Sequence, residues 1–320
     1  MTRPIERLVF AGEAIVDLLM RVPALPERGG DMLAGSATIE VGGGFNIMAA
    51  AVRQGLPVLY AGGHGTGPWG DKVRAALAGE GIELLRAADP DADTGFDVAL
   101  VEASGERTFV TALGAESLRR PGAWEQVRTG PGDAVYVSGY GLVAPESGPA
   151  LGAWAAALPP GVTLFADPGP LVADIPAGVL DPVLARCDWW SCNQREAALL
   201  TASSDPAEAA RRLVRRAGRA GVIVRAGPAG CVLALRTTGQ GTNDGVSLTQ
   251  VTAPAVTAVD TTGAGDAHSG VFLAALAGGM PPGVAAGRAN AAGAIAVTRP
   301  GAAVAPTRAE LAEFLARPRG

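Results

Sequence analysis

A chain of 320 residues is long enough for one large α/β domain with a sizeable buried core, or for two ordinary domains. Its 48% hydrophobic content is broken up by 45 glycines and 24 prolines, so no apolar run approaches the roughly 18 residues of a membrane span, and the N-terminal MTRPIERLVF has no apolar signal segment; the expected location is the cytoplasm. A net charge of -5 and a pI near 5.2 supply no basic face for nucleic acid. The 26 basic residues include a single lysine, Lys72, so a GxxxxGK[ST] phosphate loop is absent. Two histidines, His64 and His268, cannot build a three-histidine or HExxH metal site, and Cys187, Cys192 and Cys231 lack CxxC spacing and read as buried thiols.

In chain order, residues 8–11 form an apolar run that predicts a first buried strand, followed by Gly12-Glu13 and then Asp17, a carboxylate at the strand's carboxyl edge. Residues 31–41 alternate polar and apolar as an exposed strand does. Gly42-Gly43-Gly44-Phe45-Asn46 follows, opening a helical stretch over 47–53. Three glycines allow a ligand to approach the backbone, and Asn46 can donate to and accept from sugar hydroxyls; a glycine turn with Asn46 as helix cap fits the same residues. Residues 58–61 predict a strand and 71–79 a helix, and between them lies Gly65-Thr66-Gly67-Pro68-Trp69-Gly70, which matches GxGxxG. Residues 94–111 read as a hairpin turning at Ala103-Ser104-Gly105-Glu106, and with 31–41 they predict a small separate sheet.

The second half alternates strand runs at 134–137, 163–166, 189–191 and 222–225 with helical periodicity, as over 207–217, where Arg211, Arg212, Arg215, Arg216 and Arg219 read as a solvated face. Such alternation predicts a mainly parallel sheet with helices on both sides. Asn193-Gln194-Arg195-Glu196 offers two groups at i, i+3, a spacing that suits a hydrated Mg²⁺ and equally a helix cap. Gly227-Pro228-Ala229-Gly230 is a turn between strands. A strand-like lead-in at 255–259 meets Asp260-Thr261-Thr262-Gly263-Ala264-Gly265-Asp266 and then a helix. Small residues at a helix N-terminus present backbone amides to an anion, and a carboxylate beside that anion suits a base accepting a hydroxyl proton. A capping carboxylate over a glycine turn explains the same string.

Taken in this order the motifs resemble the ribokinase-like, or PfkB, family of carbohydrate kinases: Asp17, Gly42 to Asn46, Asn193 to Glu196, Gly227 to Gly230, Asp260 to Asp266, and the tail Asn290 to Gly301, NAAGAIAVTRPG. The likeness runs over nearly the whole chain and comes nearest to uncharacterised bacterial sugar kinases with similar GERTF and GAGDxH strings. It implies one α/β kinase domain over 1–320, with a discontinuous β lid over approximately 12–45 and 93–112. It further implies ATP-dependent phosphorylation of a primary hydroxyl of a small sugar or sugar derivative. Asp266 would be the base, and the amides of Gly263, Ala264 and Gly265 the anion hole. Asp17, Gly43 and Asn46 would hold the sugar. Asn193, Glu196, Gly227, Gly230 and Asn290 would hold the nucleotide, with Glu196 reaching Mg²⁺ through water. Asp260, Thr262 and Gly301 would surround a K⁺ ion, and the lid would pair two subunits into a homodimer.

The chain departs from the family pattern at several places. Met48 and Val271 replace small residues, no sugar-contacting glutamate stands near Val143, the serine of the K⁺ loop is missing after Gly301, and His268 replaces a frequent phenylalanine. A nucleoside acceptor is the alternative within the family, with Phe45, Phe96 and Phe109 available for stacking. A sugar phosphate would have only Arg28 and Arg107 to bind it. Outside the family stand a nicotinamide-dependent oxidoreductase, from the GxGxxG string, and a sugar-binding protein without catalysis.

Overall fold

The computed structural model describes residues 4–103, 106–118, 122–217, 219–237 and 245–317. Its strands are β1 (Arg7–Ala11), β2 (Ala14–Arg21), β3 (Ser36–Gly43), β4 (Val58–Tyr60), β5 (Glu83–Leu84), β6 (Phe96–Val101), β7 (Arg107–Ala112), β8 (Asp133–Ser138), β9 (Thr163–Asp167), β10 (Trp189–Asn193), β11 (Gly221–Arg225), β12 (Cys231–Arg236) and β13 (Val246–Val251). The α-helices are α1 (Gly44–Arg53), α2 (Pro68–Gly79), α3 (Gly139–Val143), α4 (Gly148–Ala156), α5 (Ala177–Arg186), α6 (Gln194–Thr201), α7 (Pro206–Arg216), α8 (Ala264–Ala277), α9 (Pro282–Ala296) and α10 (Arg308–Ala316).

Nine strands form one sheet in the order β13-β12-β11-β10-β9-β8-β1-β4-β5. It is parallel from β5 through to β11, and β12 and β13 add antiparallel at one edge. The chain lays strands outward from β1 in one direction and then restarts at β8 on its other side. The carboxyl edge at this reversal is where open α/β sheets form ligand crevices. Successive residues of each central strand face opposite sides. Val9 and Val135 therefore join Leu151, Val183 and Leu213 in a core under α4, α5 and α7, whereas Leu8, Phe10 and Tyr136 join Met48, Leu77 and Phe272 in a second core under α1, α2 and α8. No helix among the described residues is long and apolar enough to cross a membrane.

The other four strands make a separate sheet, β3-β2-β6-β7, leaving the large sheet through Gly12-Glu13 at the end of β1. Its alternating sequence puts Asp97, Ala99 and Val101 on a buried face of β6, while β7 is largely exposed. Ser104 and Gly105, where the sequence predicts the β6–β7 turn, lie outside the described residues.

Two local expectations change. Residues 252–258 are not a strand: Pro254 cannot donate to a ladder, the sheet ends at β13, and the segment lies as extended chain against a cavity. The GxGxxG string does begin a helix, but the Asp93 carboxylate accepts from the first-turn amides of Trp69 (3.1 Å) and Gly70 (2.7 Å). The helix terminus that a pyrophosphate would need is thus taken by the chain's own anion. That arrangement gives the dinucleotide reading no support.

Candidate active site

Helix α8 begins at Gly263, whose φ of +69° is a left-handed conformation. A Cβ there would stand 2.2 Å from the Ala302 carbonyl oxygen, so glycine is required for both reasons. The first-turn amides of such a helix have no intrahelical acceptor and point outward at Ala264, Gly265 and Asp266. Downstream, Gly270 lets α8 cross α1 closely: a Cβ would lie 2.5 Å from the Ile47 carbonyl and 2.7 Å from the Ala50 side chain. This approach brings Asn46 to Asp266, and the Asn46 amide donates to Asp266 Oδ2 at 3.0 Å across 220 residues of sequence.

Asp266 has its pKa raised to about 6, chiefly by burial, with the Asn46 hydrogen bond opposing the rise and the charge of Asp167 adding to it. Asp17, expected at the carboxyl edge of the first strand, instead projects from within β2 of the small sheet, which the chain enters after Gly12-Glu13. It lies next to Gly42, where a Cβ would sit 1.9 Å from Asp17 Oδ2, so the glycine makes room for the carboxylate. Burial, then the charges of Asp97, Asp266 and Glu40, push Asp17 up to about 8. Gly43, at φ +60°, caps α1 beside Asn46. The structure therefore gathers Asp17, Gly43, Asn46 and Asp266 around one end of α8.

On the other side of the α8 terminus lies a cavity of about 530 Å³. Asn193, Gly227, Gly230, Gly265 and Asn290 line it, and Pro254 and Val256 supply apolar wall. Asn290 also donates to the Val251 carbonyl at 2.8 Å, pinning the end of β13. His268 is buried there beside Asn290, its ring stacked on Phe272 with centroids 6.5 Å apart. Burial, then the nearby Arg225, push its pKa down to about 3, so the ring is neutral.

Asn193 and Glu196 form a reciprocal capping box on α6. Glu196 accepts from the Asn193 amide at 2.7 Å and from its side chain at 2.6 Å, and the Glu196 amide donates back at 2.9 Å. Beneath them sits a group that sequence reasoning missed. Arg225, at the end of β11, donates to Asp167 Oδ2 at 2.6 Å and Ser191 Oγ at 2.5 Å, and lies 3.8 Å from Glu196. Burial disfavours its charge, but the adjoining Asp167 carboxylate outweighs this and holds the guanidinium above its usual pKa. Gly265 passes directly over it, a Cβ there falling 3.5 Å from Arg225 Nε. The Gly263–Gly265 turn thus rests on a buried positive group.

Asp260 precedes the turn. Its Oδ1 accepts from the Thr262 amide (2.9 Å), the Thr262 hydroxyl (2.6 Å) and the Arg107 guanidinium, and its Oδ2 from the Gly301 amide at 3.3 Å. Burial raises its pKa, but these hydrogen bonds and the Arg107 charge bring it below the usual carboxylate value. Arg107 comes from β7 of the small sheet, so an ion pair links that sheet to the Asp260–Gly265 turn. Glu13 was also missed. It lies half-buried just after β1, accepts from Ser138 Oγ at 2.8 Å, and is pushed up to about 7 by loss of solvent around its carboxyl. Ser138 caps α3, the short helix that ends at Val143, so a carboxylate reaches this region from another strand.

The model of the pfkB family carbohydrate kinases matches residues 5–308. The chain belongs to the PfkB family of carbohydrate kinases. It is an ATP-dependent sugar kinase of that family, and the relatives agree. It is 33% identical to the uncharacterised sugar kinase YegV of Escherichia coli over 310 residues, covering 96% of this chain and 93% of that one. It is 29% identical to a ribokinase of Haemophilus influenzae, covering 96% and 98%. Among solved structures, an adenosine kinase from Sinorhizobium meliloti superposes with a TM-score of 0.81 at 21% identity, over 98% of this chain and 100% of that one. Arabidopsis thaliana ribokinase complexed with ribose and ATP gives 0.76 at 22% identity, with the same coverage. These structural likenesses establish a ribokinase-like α/β fold.

Proposed function

We propose that the kinase transfers the γ-phosphoryl group of ATP to a primary hydroxyl of a small sugar, with Asp266 as base. The observation that carries this reading is the position of Asp266, next in sequence to Gly265 on the cavity wall, hydrogen-bonded to Asn46 at 3.0 Å and close enough to Asp17 for their charges to interact. A pKa of about 6 leaves Asp266 mostly ionised at neutral pH yet basic enough to accept a hydroxyl proton as the oxygen attacks in line. The amides of Gly263, Ala264 and Gly265, backed by Arg225, face charge developing on the transferred group. Phosphoryl transfer asks for this positioning and charge stabilisation more than for covalent chemistry.

Gly227, Gly230 and Asn290 line the adenosine end of the cavity, while Asn193 and Glu196 stand toward the phosphates. Mg²⁺ fits as an ion held by ATP and reached through water, because both Glu196 oxygens already accept from Asn193 and no cluster of three metal-ligating side chains exists among the described residues. Bound there, it would neutralise phosphate charge. A K⁺ ion fits Asp260, Thr262 and Gly301 poorly, since Oδ1 of Asp260 already holds three donors including a guanidinium. Arg107 fills the positive role at that loop.

The small sheet acts as a lid whose closure excludes water. Ile39 and Val110 share its outer face, in one row with Leu18 and Val98, and are 47% and 70% exposed. This apolar strip suits pairing with a second copy of the chain. A nucleoside acceptor is less favoured: Phe45 is buried and Phe96 packs against Trp69 at 5.8 Å, which leaves Phe109 alone for a base. ADP release from Mg-ATP against free sugars and nucleosides tests the reading. Turnover on a free sugar supports it, and turnover confined to nucleosides overturns the acceptor assignment.

A further inference from the structure

Asp97 carries no role in the phosphoryl transfer described above, yet it is a buried carboxylate beside the acceptor pocket. It lies directly opposite Asp17 in the parallel register of β2 and β6, so both side chains leave the same face of the small sheet. Both residues are buried, at 8% and 9% exposure, and Oδ1 of each has no hydrogen-bond partner. Oδ1 of Asn46, the third polar side chain here, is likewise unpartnered, while its amide is spent on Asp266. Three buried oxygens without partners, one of them on the Asp17 carboxyl that is pushed up to about 8, are costly unless a ligand pairs with them.

Among the described residues, the cations near this pocket are committed elsewhere. Arg107 is paired with Asp260 and Arg225 with Asp167. Arg28 stands exposed in the loop between β2 and β3. Tyr140 has its hydroxyl pushed up to about 12 by loss of solvent and then by the charges of Glu13, Asp266 and Asp97, so all three carboxylates act on it. An acceptor carrying its own carboxylate or phosphate would enter this pocket with no free positive partner among the described residues, facing Asp97 and Asp266, which at about 6 are ionised at neutral pH.

We propose that Asp97 is an acceptor-binding residue which, with Asp17, restricts this kinase to donor-rich acceptors without an anionic group: neutral sugars or polyols and amino sugars, not sugar acids or sugar phosphates. The proposal rests on the kinase reading only for the word acceptor; the pocket's selectivity is a binding property and is tested without ATP.

The experiment is titration calorimetry, with melting temperature as a parallel readout, on the full chain without nucleotide. The probes are D-fructose, D-ribose, D-mannitol, adenosine, D-glucosamine, D-gluconate, D-glucuronate and D-fructose 6-phosphate. The proteins are wild type, Asp97→Asn, Asp97→Ala and Asp266→Asn. The expected result is binding by neutral or amino probes, at least tenfold tighter than by their acidic or phosphorylated counterparts. Asp97→Ala should weaken the best probe at least tenfold, and the nearly isosteric Asp97→Asn, which keeps the shape and so controls for misfolding, at least threefold. A greater loss in Asp97→Asn for glucosamine than for neutral sugars would assign the pair to an ammonium group, and equal losses to hydroxyls. Tightest binding by an acidic or phosphorylated probe, an unchanged affinity in both Asp97 variants, or binding by no probe would each overturn the proposal. If a sugar binds as expected but wild type with Mg-ATP never phosphorylates it, the kinase reading fails while this inference stands.

Discussion

Replacing Arg225 by methionine tests whether the Gly263–Gly265 turn rests on a charge network. The side chains of Arg225, Asp167 and Glu196 are only 15%, 12% and 3% exposed, and the guanidinium is the positive group between the two carboxylates. Methionine fills comparable volume but leaves two buried carboxylates facing each other. Removing one partner of a buried ion pair typically costs about 3–5 kcal/mol. For a 320-residue chain the unfolding entropy makes each kcal/mol worth about 1.5 °C, so the melting temperature should fall by about 5–7 °C at pH 8. The pH dependence follows from the sign of the shift. Glu196 already has a raised pKa, first through burial and then through the charge of Asp167, with Arg225 opposing the rise. Losing the arginine raises it further, and a carboxyl whose folded pKa lies above its unfolded value destabilises the fold at high pH and ceases to do so as protonation removes its charge. The deficit of Arg225→Met should therefore shrink as pH falls toward 5, and Asp167→Asn in the same chain should recover much of it. Thermal unfolding followed by circular dichroism from pH 5 to 8 measures this. A melting temperature within 1 °C of wild type at pH 8, or a deficit that grows on acidification, would refute the network.

Other outcomes follow from the same geometry. The acid limb of kcat/KM should fall below about pH 6 as Asp266 takes its proton, and Asn46→Ala should move that limb upward because the lost hydrogen bond had favoured the ionised form; a pH-rate profile shows either. Gly263→Ala should lower turnover at least tenfold with a smaller effect on sugar binding, since its Cβ collides with the Ala302 carbonyl at the anion hole; equal kcat in steady-state assays would contradict this. Exchanging KCl for NaCl should change turnover less than twofold while Arg107 holds Asp260, and a fivefold loss in Na⁺ would contradict that pairing.

The parallel strands were legible because their runs are short, apolar and bounded by turn residues: 8–11, 58–61 and 134–137 coincide within a residue with β1, β4 and β8. The small sheet's strands showed through alternation, since only one face of β6 is buried. Helices α8 and α9 are Ala- and Gly-rich and buried on most sides, so they carry little of the amphipathic period that marks α7. The glycine strings could be located from the sequence, but not what each one accommodates: Gly42 leaves room for Asp17, and Gly270 for α1. Asp167, Arg225, Glu13 and Asp97 left no signal because each is an ordinary residue at the end of a strand or in an alternating stretch, and its meaning depends on a partner brought near only by folding. Asp167 and Arg225, for example, lie 58 residues apart. Buried polar side chains at strand carboxyl ends were the one available hint, and only after the strands were in order.

The most direct test of the central claim compares Asp266→Asn with wild type on an accepted sugar, measuring ADP release together with ATP and sugar affinity. The account predicts a fall in kcat of about 10²–10⁴, the range for loss of a positioned base, with both affinities within a fewfold of wild type. A variant that turns over the same sugar at the wild-type rate would contradict it.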